Sequence, residues 1–122
     1  MTEGALLSVV VTVLNEAGTV GELHRRVVET LGDRPFELIF VDDGSTDGTF
    51  DALRVICAAD SRVRVVRLKR NFGQHPAMHA GLVRSRGTQI VTMDGDLQNQ
   101  PEDIPKLVAA LARVDVASGR RI

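Results

Sequence analysis

Apolar runs and segments of helical period alternate along the chain. A continuous β-branched run predicts a strand at 6–14, further apolar runs predict strands at 36–41, 63–68 and 89–93, and a last strand begins at 115–117. The segments between them carry apolar residues three and four positions apart, as helices packed on a sheet do. This alternation is typical of an α/β fold, in which helices cover a mostly parallel sheet.

The predicted helices have recognisable beginnings and ends. Gly32 follows the first helix as a C-terminal stop, and Pro76 suits the first turn of a helix over 77–85. The other helices are defined by their inward-facing apolar residues. These are Val20, Leu23, Val27 and Leu31 in the first helix, Phe50, Leu53 and Cys57 in the second, and Ile104, Leu107, Val108 and Leu111 in the last.

Composition excludes several classes of partner. The 122 residues suffice for one domain, and the net charge of -1 gives no general attraction to nucleic acid or to a membrane surface. Four Phe and no Trp or Tyr argue against a module that stacks bases, so no nucleic-acid partner is expected. The single Cys57 excludes an internal disulfide and suits a reducing cytoplasm.

The two ends of the chain bear on its organisation. The first residues include Glu3 and no basic region, so they do not form a signal peptide, and no run approaches the roughly 18 apolar residues of a membrane span. The chain stops at GRRI, directly after a strand-like run. We therefore expect residues 1–122 to be part of a longer protein.

Two carboxylates stand where a buried strand should end. Asp94 and Asp96 are two residues apart in near-extended backbone, so their side chains can point to one side, and Gly95 between them permits close approach. Gln98 adds a neutral oxygen. Such oxygen ligands suit Mg²⁺ or Mn²⁺, which complete their shell with water and phosphate. The alternative is a set of loop acids that precede and cap the following helix.

A second acidic segment follows the second predicted strand. Asp42 and Asp43 precede Gly44, and one of the two acids is expected to serve only as a turn and capping residue. The other can accept hydrogen bonds from a base or a ribose. Because ligands of parallel sheets bind beyond the carboxyl ends of the strands, both acidic segments are expected at one site.

Four segments together resemble family 2 glycosyltransferases of the GT-A fold, namely SVVVTVLNE, FELIFVDDGSTDGT, RNFGQHPAMHAGL and MDGDLQNQPEDIPKLV. Within that family, the likeness is closer to polyprenyl-phosphate glycosyltransferases, which include the dolichyl-phosphate mannose synthases. The pairing of NFGQH with DLQNQPEDIP is most similar to the undecaprenyl-phosphate 4-deoxy-4-formamido-L-arabinose transferases among them. The resemblance implies a Rossmann-like GT-A sheet, of which residues 1–122 form the N-terminal half that binds the nucleotide-sugar.

The same resemblance implies the residues of the site. Asp94, Asp96 and Gln98 would hold Mg²⁺ or Mn²⁺, and Asp96 would be catalytic, while the general base has no counterpart in this chain. Thr12 stands where the family usually has proline, and Leu14 where it has tyrosine, which leaves the identity of the nucleotide open. The residues implied to bind the nucleotide-sugar are Thr12, Leu14, Glu16, Val41, Asp43, Asp94, Gly95, Asp96, Gln98 and Arg121.

The implied reaction is inverting transfer of a sugar from a nucleotide-diphosphate sugar, expected to be UDP-linked, to a polyprenyl phosphate. It would take place at the cytoplasmic, inner face of the cell membrane, and self-association into a homo-oligomer is expected. Two alternatives stay open. One is a fragment that binds a sugar nucleotide and transfers nothing. The other is a phosphoacceptor receiver domain, which is disfavoured because its acidic pair should follow strand one, where this chain has LNE.

Overall fold

The computed structural model describes residues 5–95, 100–110 and 116–118, and in these the predicted alternation is present. The elements are β1 (Leu7–Val13), α1 (Val20–Leu31), β2 (Phe36–Asp42), α2 (Thr49–Ala59), β3 (Val63–Arg67), α3 (Gln74–Leu82), β4 (Gln89–Asp94), a 3₁₀ turn (Pro101–Asp103), α4 (Ile104–Ala110) and β5 (Val116–Ser118).

The strands form a parallel sheet in the order β3-β2-β1-β4-β5. β1 is central and pairs on one side with β2 and on the other with β4. The chain therefore moves outward in one direction through β2 and β3, and then in the other through β4 and β5. This order makes the boundary between β1 and β4 a topological switch point, where open α/β sheets bind their ligands. The predicted fold class, a Rossmann-like parallel sheet flanked by helices, is confirmed.

Both faces of β1 are covered, as its β-branched run predicts. Alternate residues such as Val9 and Val11 lie in a larger core with α1, α2 and Ile104, whereas Val10 lies in a smaller core with Ala77 of α3. A Cβ on Gly81 of α3 would lie 2.4 Å from Val10 Cγ1, so glycine permits this helix to pack closely on the sheet. α3 is thereby fixed against the centre of the sheet.

The element boundaries differ from the sequence predictions in two instructive places. α3 begins at Gln74, three residues before the predicted start at 77, because Gly73 with φ 101° precedes the first helical residue. Phe50 is half-buried rather than part of the core, and the Arg67 guanidinium lies 4.2 Å from its ring centroid. The fully buried apolar residue of α2 is Leu53, and Ile56 and the predicted Cys57 are partly buried against the same core.

A buried polar network lies near the starts of β1 and β2, at the end of the sheet opposite the carboxyl ends of the strands. The Glu37 carboxylate is 3% exposed and accepts hydrogen bonds from Ser8 Oγ at 2.6 Å, the Arg86 N–H at 2.6 Å and an Arg64 guanidinium nitrogen at 2.9 Å. Burial acts to raise the pKa of Glu37, but these hydrogen bonds outweigh it and hold the pKa below its ordinary value. The network secures the register between β1 and β2 at this end.

Candidate functional site

A cleft of about 390 Å³ opens at the carboxyl ends of β1, β2 and β4. Its position is the switch point of the sheet, as expected for a ligand site in this architecture. The cleft is lined by Thr12, Val13, Leu14, Glu16, Asp43, Asn71, Gly73, Gln74, Asp94 and Gly95.

The floor of the cleft is the end of β1 with its two neighbours. Thr12 pairs in register with Asp94 on β4 and with Val41 on β2. The Gly95 N–H donates a 2.8 Å hydrogen bond to the Thr12 carbonyl oxygen, and a Cβ on Gly95 would lie 2.4 Å from Val13 Cγ1. Only glycine therefore fits at 95, which agrees with the close approach predicted there, although the group that approaches belongs to β1.

The loop after β1 supplies Leu14 and Glu16 to one rim. Leu14 is 39% exposed and leaves an apolar surface at the cleft mouth. The Glu16 carboxylate accepts a 2.9 Å hydrogen bond from Thr19 Oγ1, and the Glu16 N–H donates one of 2.9 Å to Thr49 Oγ1. The rim is thus fixed at both the side chain and the backbone of Glu16.

The loops after β1 and β2 are interlocked by side-chain hydrogen bonds. The Asn15 N–H donates to Ser45 Oγ and the Thr46 N–H donates to Asn15 Oδ1, both at 2.9 Å, while Asn15 itself has φ 55°. Hydrogen bonds from Thr49 hold the pKa of Asp47 below its ordinary value, so the carboxylate stays ionised at the start of α2. The loops after β1 and β2 are therefore held to each other beside the cleft.

The two acids at the end of β2 have different hydrogen-bond partners. Asp42 is fully buried, and its Oδ1 accepts a 2.9 Å hydrogen bond from the Ser45 N–H, which closes the turn. Asp43 lines the cleft but is only 4% exposed, and its two oxygens accept the N–H groups of Phe72 at 2.9 Å and Gly73 at 3.1 Å. Asp43 therefore also anchors the loop that precedes α3.

The loop before α3 contributes residues that the sequence analysis did not assign to the site. Asn71, Gly73 and Gln74 line the cleft, and the Gln74 side-chain amide donates a hydrogen bond to Asp94 Oδ1. The signal that could have identified them is the NFGQH segment, which carries part of the family resemblance. Neutral amides have no periodic pattern or clustered charge by which they stand out.

The remaining predicted residues are distributed as follows. Val41 is fully buried and belongs to the smaller core, so it supports the cleft from behind and does not line it. Its predicted part in holding the nucleotide base stays a prediction. The predicted residues Asp96, Gln98 and Arg121 lie outside the described residues.

The chemistry of Asp94 fits the predicted divalent cation. It is a half-buried carboxylate at the end of β4, and hard cations such as Mg²⁺ and Mn²⁺ prefer oxygen ligands of this kind. No group of three or more acidic, histidine or cysteine side chains suited to a metal is found within the described residues. Asp94 is thus one oxygen ligand that such a cation could take.

Comparison with curated proteins gives relatives of high identity over most of the chain. This chain is 49% identical over 110 residues to a dodecaprenyl-phosphate galacturonate synthase of Rhizobium johnstonii, and the match covers 88% of this chain and 32% of that protein. It is 46% identical over 112 residues to an undecaprenyl-phosphate 4-deoxy-4-formamido-L-arabinose transferase of Pseudomonas aeruginosa, covering 88% and 33%. The chain thus spans about a third of the length of these relatives.

Solved structures and a family model agree with these relatives. A mannosyltransferase from Pyrobaculum calidifontis, solved in complex with GDP-Man and Mn²⁺, superposes with a TM-score of 0.76 at 27% identity, covering 88% of this chain and 32% of that one. The model of Glycosyl transferase family 2 matches residues 8–122. With its parallel sheet and its cleft at the switch point, the chain belongs to glycosyl transferase family 2.

Proposed function

We propose that this chain is the sugar-donor-binding part of a metal-dependent, inverting glycosyltransferase. The enzyme would transfer a sugar from a nucleotide-diphosphate sugar to a polyprenyl phosphate. The observation that carries the proposal is the cleft at the switch point, which has Asp43 on its β2 side and Asp94 on its β4 side. A nucleotide-diphosphate sugar has a neutral base at one end and an anionic diphosphate between its nucleoside and its sugar, and it therefore needs two chemically different regions in its pocket.

The nucleoside would occupy the β2 side of the cleft. There Asp43 would accept a hydrogen bond from the base, and Leu14 and Glu16 would form the rim against which the nucleoside packs. Thr12 would lie beneath the ligand at the end of β1, with Val41 behind it. The nucleoside is proposed to be uridine, because a single carboxylate acceptor matches the one N–H of its uracil ring.

The diphosphate would occupy the β4 side, where a divalent cation neutralises its charge. Asp94, Asp96 and Gln98 would hold Mg²⁺ or Mn²⁺, and Arg121 would face the diphosphate. When bound, the cation supplies Lewis-acid stabilisation of the charge that develops on the leaving diphosphate. Gly95 keeps the backbone between β1 and β4 compact, so that a phosphate can lie over the strand ends.

The acceptor is proposed from the names of the relatives, which refer to dodecaprenyl phosphate and undecaprenyl phosphate. A lipid phosphate is already anionic, so direct displacement at the anomeric carbon would need little help from a base. Such displacement inverts that centre. The lipid acceptor would bring the reaction to the inner face of the membrane. Of the helices within the described residues, none has the length and apolarity required to cross a bilayer.

The test separates binding of the sugar donor from transfer. Calorimetric titration with UDP in the presence and absence of Mn²⁺ should show metal-dependent binding, and a chain that binds UDP in neither condition would contradict the proposal. Incubation with Mn²⁺, UDP-sugars and undecaprenyl phosphate then tests transfer by detection of a glycolipid. Binding without glycolipid would assign this chain to binding alone and leave transfer to a longer protein.

A further inference from the structure

The segment 71–74 connects the two ends of the cleft, and it does so through hydrogen bonds. We infer that Gln74 is a positioning residue for Asp94, and that Asp43 holds Gln74 in place through the backbone of this segment. The inference rests on the proposed function, because it concerns how the nucleoside side of the cleft is connected to the metal side. It gives Asp43 a task in metal binding in addition to its proposed contact with the base.

The first link in this connection is the anchoring of the segment by Asp43. A carboxylate that is 4% exposed and accepts two backbone N–H groups fixes the position of both, because removing either bond would leave a buried charge less satisfied. The donors are Phe72 and Gly73, the two residues directly before Gln74. On the other side, Gly44 follows Asp43 and packs against the backbone of Arg70.

The second link is the rigid attachment of Gln74 to α3. Gln74 is the first residue of that helix, and Ala77 one turn later is fully buried in the smaller core. Gly81 brings the same helix into close contact with Val10 of β1. The backbone of Gln74 is therefore held between the carboxylate of Asp43 and the centre of the sheet. A side chain on such a support can orient a neighbour.

The third link is the hydrogen bond from the Gln74 amide to Asp94 Oδ1. Asp94 is the last residue of β4, so the strand supports its backbone from the preceding side only. Groups that hydrogen-bond a metal ligand fix its orientation, and their loss typically lowers metal affinity 10–100-fold. Gln74 has the geometry for that task and carries no charge that would compete for the cation.

The experiment compares Gln74→Met with the wild-type chain. Methionine keeps the length and approximate volume of glutamine and removes the amide donor. Binding of Mn²⁺ in the presence of UDP, followed by the electron paramagnetic resonance signal of free Mn²⁺, should weaken about tenfold. His75→Ala is the matched control, because His75 is the exposed next residue on the same helix and does not line the cleft. Its Mn²⁺ affinity should equal that of the wild type.

A second readout does not depend on the proposed function. In the ligand-free chain, the carboxyl ¹³C resonance of Asp94 should shift in Gln74→Met and stay unchanged in His75→Ala. A wild-type chain that binds no Mn²⁺ with UDP would contradict the proposed function together with the metal role of Gln74. Normal Mn²⁺ binding by Gln74→Met, with or without the resonance shift, would contradict the positioning role alone.

The role of Asp43 is tested by a double-mutant cycle. Asp43→Asn should weaken binding of Mn²⁺ with pyrophosphate, a ligand that has no base. The effects of Asp43→Asn and Gln74→Met on Mn²⁺ affinity should be less than additive, because both variants act through the carboxylate of Asp94. If Asp43→Asn weakens UDP binding but leaves Mn²⁺-pyrophosphate binding unchanged, Asp43 reads the base only, and the connection through segment 71–74 is wrong.

Discussion

Gly44 and Arg70 approach each other so closely that a Cβ on Gly44 would lie 2.3 Å from the Arg70 carbonyl carbon. Gly44 also has φ 78°, in the region that side chains disfavour. Two loops that are far apart in sequence therefore meet backbone to backbone, next to Asp43. This contact holds segment 71–74 against the cleft, and it is specific to glycine for two separate reasons.

These two reasons can be separated by comparing two substitutions. Gly32 also has a positive φ, 55°, but nothing lies within 4 Å of the position of its Cβ. Gly32→Ala should lower the free energy of unfolding by about 1–3 kcal/mol for backbone strain alone. Gly44→Ala should lower it by more and should also weaken UDP binding. Urea denaturation and calorimetry measure both quantities, and equal effects of the two substitutions would argue against the loop contact.

Removal of Asp94 should abolish metal-dependent binding and leave the fold intact. Asp94 is half-buried at a strand end and lies outside the core, so Asp94→Ala should change the midpoint of thermal unfolding little. Titration with UDP should then show the same weak affinity with and without Mn²⁺. Asp103→Ala is the control, because Asp103 is an exposed acid that does not line the cleft. Retained Mn²⁺ dependence in Asp94→Ala would exclude Asp94 as a ligand.

The sequence predicted the strands well because a buried parallel strand is a near-continuous apolar run, as β1 and most of β2 and β4 are. It predicted acids at the cleft because carboxylates are costly at the end of a buried strand unless something positive meets them. It did not predict the part played by Gln74. The hydrogen bond between Gln74 and Asp94 depends on the strand order, which places Asp43 and Asp94 on either side of segment 71–74. The local periodicity of a sequence does not reveal strand order.

Leu14 offers a test of the nucleoside side of the cleft. Its side chain is 39% exposed at the rim, and the family usually has tyrosine at this position. Leu14→Tyr should raise UDP affinity by about 1 kcal/mol, or roughly fivefold, through stacking on the base. Pyrophosphate affinity should stay unchanged, and so should UDP affinity in Val55→Tyr, where the replaced side chain is 70% exposed on α2. A gain for pyrophosphate would place Leu14 near the phosphates instead.

The Glu37 network predicts how stability depends on pH. Because the pKa of Glu37 is lower in the folded chain than in the unfolded one, its contribution is present above the ordinary glutamate pKa of about 4.3 and is lost as the pH falls through the lower folded value. Glu37→Gln should cost roughly 1.5–3 kcal/mol at pH 7. That difference from the wild type should shrink progressively toward pH 3.

The control for this prediction is Glu29→Gln, which removes an exposed carboxylate that pairs with Arg25 on α1. Exposed pairs of this kind contribute 0–1 kcal/mol, so this variant should follow the wild-type curve. Urea denaturation between pH 3 and pH 7 measures all three proteins. A constant difference between Glu37→Gln and the wild type across that range would show that the pKa of Glu37 is the same in the folded and the unfolded chain.

The hydrogen bond from Ser8 to Glu37 has a consequence for how the sheet assembles. β1 is apolar on both faces, so a shift of two residues against β2 would leave every face hydrophobic, and burial alone discriminates weakly against it. Such a shift would move Thr12 by about 7 Å from its place beside Val41 at the end of β2. Ser8→Val would remove the polar partner that marks the correct alignment, and a fraction of molecules would then become trapped during refolding with the strand misaligned. A single hydroxyl remote from the cleft thereby determines how reliably the cleft is formed.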